Sequence, residues 1–589
     1  MPSNGGDMKA RTFATLGLGL ALGGAILAVP HVLGAQPSTL PVQQGWDAAT
    51  TTKYHHISQG AVIVPVAFMR ALRTPSGGHF LAPANMASYG FLPASDGGIW
   101  PLGMAADDGK ASIENGIPMV GVNCAACHTG QLTVRGVTLR IEGGSANLDI
   151  TRFLTDVDKA ILADAKDPAK RKAFLAEAVS YGYPASKASA GLDAEASRRI
   201  FMYAAAERER VRSGDKNTPS GPGVVDALGG IAFNAMVTAL HEPSNARAAK
   251  APTNFPPVWD IWHFDWVQYN ASVRMPMARN VGEVIGLGGR LNIVDANGAL
   301  NPVSTRWKST INVKNLYWIE TTIEALKPPV WPAAFGAIDQ AKVAAGKALF
   351  AQNCSRCHGV NAIAGSPYHE WYLPVVPLTR IGTDPNQAIG FAKTRFNATK
   401  IGASATEGTP EGLMAVVGKV KDQAYEDAGI PKNEWPTYNG FDRKMILAWA
   451  CGYRPRPLVG LWATPPFLHN GSVPSVFDML SQSRPAHPII GNPEFDPIKL
   501  GQVQVAIPGR TYTMDTALQG NSNAGHWFTN DTTRKGRIGR ALTDTEKYEL
   551  IEYLKVADYA DYPSRTIDPA NIPAQPCSND RDWAANIPY

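Results

Sequence analysis

Two short stretches carry the residues best suited to chemistry: Cys124-Ala125-Ala126-Cys127-His128 and Cys354-Ser355-Arg356-Cys357-His358. In each, two thiols stand one helical turn apart and an imidazole follows at once. That order suits covalent attachment of one porphyrin through its two vinyl groups, with the histidine beneath the ring as an axial ligand to iron. A lone Cys-x-x-Cys also serves thioredoxin-like redox pairs and half zinc sites. Two copies, each followed by His, point away from both. No other Cys-x-x-Cys completes a zinc site, and no strand is expected ahead of either motif. The expectation is two covalently bound haem c groups on Cys124, Cys127, Cys354 and Cys357, with His128 and His358 as iron ligands.

The setting agrees with an exported redox protein. Lys9 and Arg11 precede an uncharged apolar run over 12–29, and Leu33-Gly34-Ala35 offers a small-residue cleavage site, the pattern of a bacterial signal peptide. A signal peptide over 1–35 and a periplasmic or secreted location follow, with an uncleaved anchor as the alternative. Cys451 and Cys577 are open to a disulfide or to two free thiols. A formal net charge of +5 without any Lys/Arg run argues against a nucleic-acid binder. Forty-five prolines and 56 glycines point to a loop-rich molecule.

The elements that must position the motifs are legible in part. Helical patterns run near 65–73, over 148–162 and over 166–212, the last broken at Tyr181-Gly182-Tyr183-Pro184; 137–141 alternates like a strand. Tyr54-His55-His56 reads as a solvated pair of histidines in a polar loop rather than a metal site. Residues 214–335 are rich in Trp, Pro and Asn without helical period, so they form either a loop-rich core or the distal wall of a haem pocket. Only on the second reading are His241 and His263 candidate sixth ligands. A helix-forming run at 339–350 leads into the second motif. Thr543 with Glu546 opens another helix to about 554, as a capping box does. Two helices bracketing the motif are the layout of a class I cytochrome c domain. The expected fold is mainly α and loop-rich, with two cytochrome c-like haem domains, long irregular insertions and few short strands. The expected divisions are 1–35, 36–335 around the active-site haem, 336–560 around an electron-transfer haem, and a tail over 561–589.

One segment carries a resemblance. Thr464-Pro465-Pro466-Phe467-Leu468-His469-Asn470-Gly471-Ser472-Val473, with two haem motifs in one exported chain, resembles the bacterial di-haem cytochrome c peroxidase superfamily over about 121–554. The extra length and Asn521-Ser522-Asn523-Ala524-Gly525-His526 are most similar to its branch of rubber oxygenases and di-haem fatty-acid dioxygenases, which act on C=C bonds with O2. The resemblance implies His526 as sixth ligand of the second haem. His469 is the alternative, and Met479 and His487 lie in the same region. It also implies an open first haem in an aromatic pocket containing Trp266. Glu283 or His263 would serve as the acid–base group if peroxide is the oxidant. Expected partners are O2 or H2O2, a small hydrophobic unsaturated substrate and a small periplasmic electron donor; a structural Ca2+ joins the expected cofactors. A peroxide reductase and a non-enzymatic electron carrier are the alternatives to an oxygenase.

Overall fold

Helices begin where a side chain accepts the first free amide hydrogens. In the computed structural model, which describes residues 39–572 apart from 111, 112, 114, 450, 563 and 564, Asp149 caps the helix Ile150–Lys166 and Asp167 caps Pro168–Ser180. Asp339 caps Gln340–Asn353, and Thr543 forms the expected capping box with Glu546 at the start of Asp544–Val556. The break at 181–184 holds: Gly182 turns left-handed (φ 92°) and Ala185–Ser213 begins after Pro184. The expected signal peptide and Cys577 lie outside the described residues. Cys451 is disulfide-bonded. Among the described residues no helix is long and apolar enough to cross a membrane.

The fold is mainly helical with short scattered strands, and it departs from expectation beside the first motif. Met119–Val122, which leads into Cys124, is the central strand of an antiparallel sheet between Val64–Pro65 and Met104–Ala106. All four of its residues are buried, so it has no polar face and no alternation to reveal it. The chain leaves the motif through a hairpin of Thr129–Val134 and Val137–Glu142, turned by Arg135 and Gly136 at positive φ. Tyr54, His55 and His56 are not in a solvated loop either. They end the helix Ala48–His56, and His55 is buried with Nε2 2.8 Å from Glu142 and Nδ1 2.9 Å from Ser95.

The helices Gln340–Asn353 and Asp544–Val556 pack closely against each other beside the second motif. Gly346 sits at the crossing, where a Cβ would meet the carbonyl oxygen of Glu549 and the Cβ of Tyr553. Gly346→Ala is expected to cost about 1–3 kcal/mol by overpacking, read as a lower midpoint in urea. An unchanged midpoint would mean the helices separate freely. Arg565–Ile567, expected in a tail, pairs in parallel with Asn361–Ile363 just beyond the second motif. One core holds Ala125 of the first motif together with Phe350 and Tyr553 of the crossing helices.

Candidate haem sites

Each motif folds into a short helical turn that delivers its histidine. Asn123 caps Cys124–Cys127, and its own amide donates to the carbonyls of Tyr54 (3.0 Å) and Ile57 (2.9 Å). At the second motif Gln340–Asn353 runs through Cys354 into Ser355–His358. The histidine N–H returns to the first cysteine's carbonyl in both, at 2.9 Å for His128 and 3.0 Å for His358. All four thiols are free. Burial pushes those of Cys127 and Cys354 up to about 12 and that of Cys124 higher still. Redox-active pairs need the opposite shift, so the thiols, and not a missing strand, argue against a thioredoxin-like site. Among the described residues no group of three or more His, Cys, Asp or Glu could hold a metal ion.

The two motif histidines are oriented alike. His128 Nδ1 donates to the Pro256 carbonyl at 2.8 Å, and His358 Nδ1 donates to the Arg456 carbonyl at 2.7 Å. A carbonyl only accepts, so each Nδ1 carries the proton and each Nε2 keeps its lone pair, as a metal-binding imidazole does. Burial lowers both imidazoles, His128 to about 4, which keeps them neutral.

Those two carbonyls open two copies of one loop. Residues 257–273 and 457–473 correspond position by position at a constant offset. Each has a 3-10 turn, Ile261–His263 and Leu461–Ala463. Each has left-handed residues at matching places: Asp260 and Gly460, Gln268 and Leu468, Ala271 and Gly471. Each closes with a bridge, Val267 to Val273 and Phe467 to Val473. Trp262 matches Trp462, and Asn270-Ala271-Ser272-Val273 matches Asn470-Gly471-Ser472-Val473. This repeat was missed in reading the sequence, and the recurring Asn-x-Ser-Val was its signal.

At the second motif the rings of His358 and His526 lie 6.3 Å apart. Two metal–nitrogen bonds of about 2 Å, with roughly 1.2 Å from each nitrogen to its ring centre, need about 6.4 Å for one iron between two imidazoles. His526 is held left-handed (φ 53°) after Gly525, and its Nδ1 is buried without a hydrogen-bond partner. Burial, then the nearby His358, lowers it to about 3. Arg484 fixes the loop by donating to the carbonyls of Asn523, Gly525 (2.9 Å), His526 (3.1 Å) and Met479 (3.0 Å). Its guanidinium also lies 4.0 Å over Trp527. The cavity between Cys354, Cys357, His358 and His526 is closed by Phe528, Leu550 and Leu554. His469 lines its wall, stacked 4.0 Å from Tyr453. The Met479 sulfur takes Arg484 at 3.7 Å, and His487 is exposed beside Asp515.

Around the first motif the neighbours are charged. Arg279 and Glu283 lie on the helix Pro276–Gly286; Arg279 pairs with Glu320, and Gln268 donates to Glu283 at 3.2 Å. Glu283 raises the thiols of Cys124 and Cys127, and its own carboxyl is raised by burial against the pull of Arg279. Its side chain keeps 35% of its surface accessible. Cys124 Sγ donates to Gln59 at 3.1 Å. Trp266 is buried in a core with Met275, Ala278 and Val281. The Trp-rich stretch, read as either a loop-rich core or a haem-pocket wall, sends Pro257 and Trp259 to the cavity of the second motif and sets Phe255 and the Pro256 carbonyl beside His128. His263 is stacked between Trp262 and Trp371 with Nδ1 on the His369 carbonyl, and His241 is stacked on Phe201.

Comparison with known proteins agrees with this architecture. Residues 343–427 match the cytochrome c family model, and 452–487 match the model for RoxA-like, cytochrome c-like proteins. With the attachment motifs they fit a di-haem cytochrome c family and define a c-type haem oxidoreductase carrying covalent haem c. The chain belongs to the family of uncharacterized protein y4iJ of Sinorhizobium fredii (strain NBRC 101917 / NGR234). It is 33% identical to that protein over 566 residues, 87% of this chain and 92% of the relative. Uncharacterized protein y4iM of the same strain is 25% identical over 359 residues, covering 58% of this chain and 73% of the relative.

Proposed function

We propose that the chain carries two haems and acts outside the cytoplasm as an oxygenase, adding O2 to, or cleaving, C=C bonds of a hydrophobic unsaturated substrate such as a fatty acid or polyisoprene. The observation that carries this reading is the asymmetry between two similar sites. His358 has an imidazole opposite it at the spacing one metal requires, whereas the ring neighbour of His128 is Phe255 at 6.4 Å. Haem c at the first motif would supply a redox iron with a free position for O2 or peroxide. The residues around it orient and hold protons. The Pro256 carbonyl sets the His128 tautomer, and Gln268 and Arg279 hold the Glu283 carboxyl near the thiols. His358 and His526 together would keep the second site closed to small molecules, suiting it to storing and passing electrons from a small periplasmic donor.

A second reading, peroxide reduction, is favoured by Glu283 itself, since a carboxyl of raised pKa is a ready proton carrier for O–O cleavage. The purified protein should keep its haem through acid–acetone extraction and give two c-type haems per chain by pyridine haemochrome; a count of one removes the two-site reading. The deciding experiment supplies unsaturated fatty acids and polyisoprene oligomers under labelled O2 with catalase present. Labelled hydroperoxides, aldehydes or ketones are expected. No product, together with rapid peroxide reduction when a reduced small cytochrome is added, would establish the peroxidase instead.

A further inference from the structure

The repeated loops differ most in charge just ahead of each copy. Arg454 and Arg456 stand before the second loop, where Asn254 and Pro256 stand before the first. Both arginines line the cavity that contains Cys357 and His358. Arg456 is satisfied, donating to the carbonyls of Pro257 and Trp259 (2.9 Å). Arg454 is not. Its backbone N–H donates to Tyr269 at 2.8 Å and its guanidinium lies 4.6 Å over Phe264, but Nε and Nη1 are buried without a hydrogen-bond partner. Asp265 is the nearby carboxylate, and it forms no ion pair with Arg454. Its Oδ1 accepts from Leu373 at 3.3 Å and its Oδ2 is buried unpartnered. A buried guanidinium with two idle donors, facing a cavity built for a prosthetic group, calls for an anion with carboxylate geometry.

We propose that Arg454 binds a propionate of the haem attached at Cys354 and Cys357. This rests on haem at that motif and not on the oxygenase reading. The matching position at the first site is the neutral Asn254, which donates to the Pro466 carbonyl at 2.8 Å. At the matching loop positions the scaffold therefore carries a cation at the second site only; Arg279, the cation near the first motif, is paired with Glu320. Reduction removes one positive charge from the iron, so a nearby cation favours the reduced form. Arg454 thus raises the potential of the second haem relative to the first and makes it the place where an electron rests.

The test is a potentiometric titration of the whole haem-loaded protein, following each haem by its spectrum, in wild type, Arg454→Met and Arg454→Lys. The expected result is a lowered potential for the second haem in Arg454→Met, a smaller change at the first, and recovery of most of the shift in Arg454→Lys. An unchanged second-haem potential in Arg454→Met overturns the proposal. So does an equal drop in Arg454→Lys, or a first haem that moves as far as the second. If Arg454→Met does not fold, Arg454→Gln is judged by the same outcomes. The spin state of the second haem reports on His526 and the potential shift on Arg454, so either assignment fails without the other.

Discussion

His526→Gly is expected to convert the second haem from low spin to high spin and to leave the first unchanged. The replacement removes the ring that lies 6.3 Å from His358, and glycine tolerates the left-handed φ of 53° at this position, so the loop loses its imidazole with little added strain. Added imidazole should restore the low-spin spectrum if the cavity is otherwise intact. His469→Gly is the control. His469 lines the same cavity but stacks on Tyr453, and the low-spin signal should persist without it. If His469→Gly gives the high-spin change and His526→Gly does not, the assignment is reversed. Arg484→Met should act on the same signal more weakly. Its guanidinium bonds the carbonyls on both sides of the ligand loop, and its loss lets the ring drift without removing it. A partial high-spin fraction that grows on warming is the expected signature.

Local chemistry was legible in this sequence, and long-range placement was not. The capped helices at 340–353 and 544–556 were readable because each carries its own start signal. The attachment motifs were readable because covalent haem chemistry fixes their spacing. The strand at Met119–Val122 was missed because burial on both faces removes the alternation that marks a strand. His55 and His56 looked solvated because their partners, Glu142, Ser95 and Met104, come from a hairpin, a loop and a strand far along the chain. The repeated loops escaped because they are defined by backbone angles. Most of their side chains differ, and only Pro257/Pro457, Trp262/Trp462 and the Asn-x-Ser-Val pair are shared. The route of the Trp-rich stretch was hidden as well, because its partners come from the second loop, 200 residues further along. The first loop begins at the His128 carbonyl partner and then crosses to the second motif, where Trp259 hydrogen-bonds Val459 at 3.2 Å.

Glu283→Gln separates the two oxidants. The carboxyl is raised by burial, with Arg279 opposing, so it keeps its proton to higher pH than an ordinary glutamate. As a base in peroxide cleavage it works only when ionised, and the wild-type peroxide rate should climb as pH rises through that raised value. Glutamine accepts the same Gln268 hydrogen bond but carries no transferable proton. Peroxide reduction should then fall by about 10²–10⁴-fold, the usual contribution of a positioned acid–base group, and its pH dependence should flatten. Stability should change with the opposite slope. A carboxyl whose folded pKa is raised stabilises the fold fully below its unfolded value, and that contribution is lost as pH rises through the folded value. Glu283→Gln should therefore lose that part of the pH dependence, its midpoint falling less than wild type's as pH rises from the ordinary glutamate range through the raised value. O2-dependent oxidation of an alkene relies instead on packing substrate beside the open site, and should lose less than 10-fold. A collapse of both activities would place Glu283 in a step common to them, and no change in either would remove it from the chemistry.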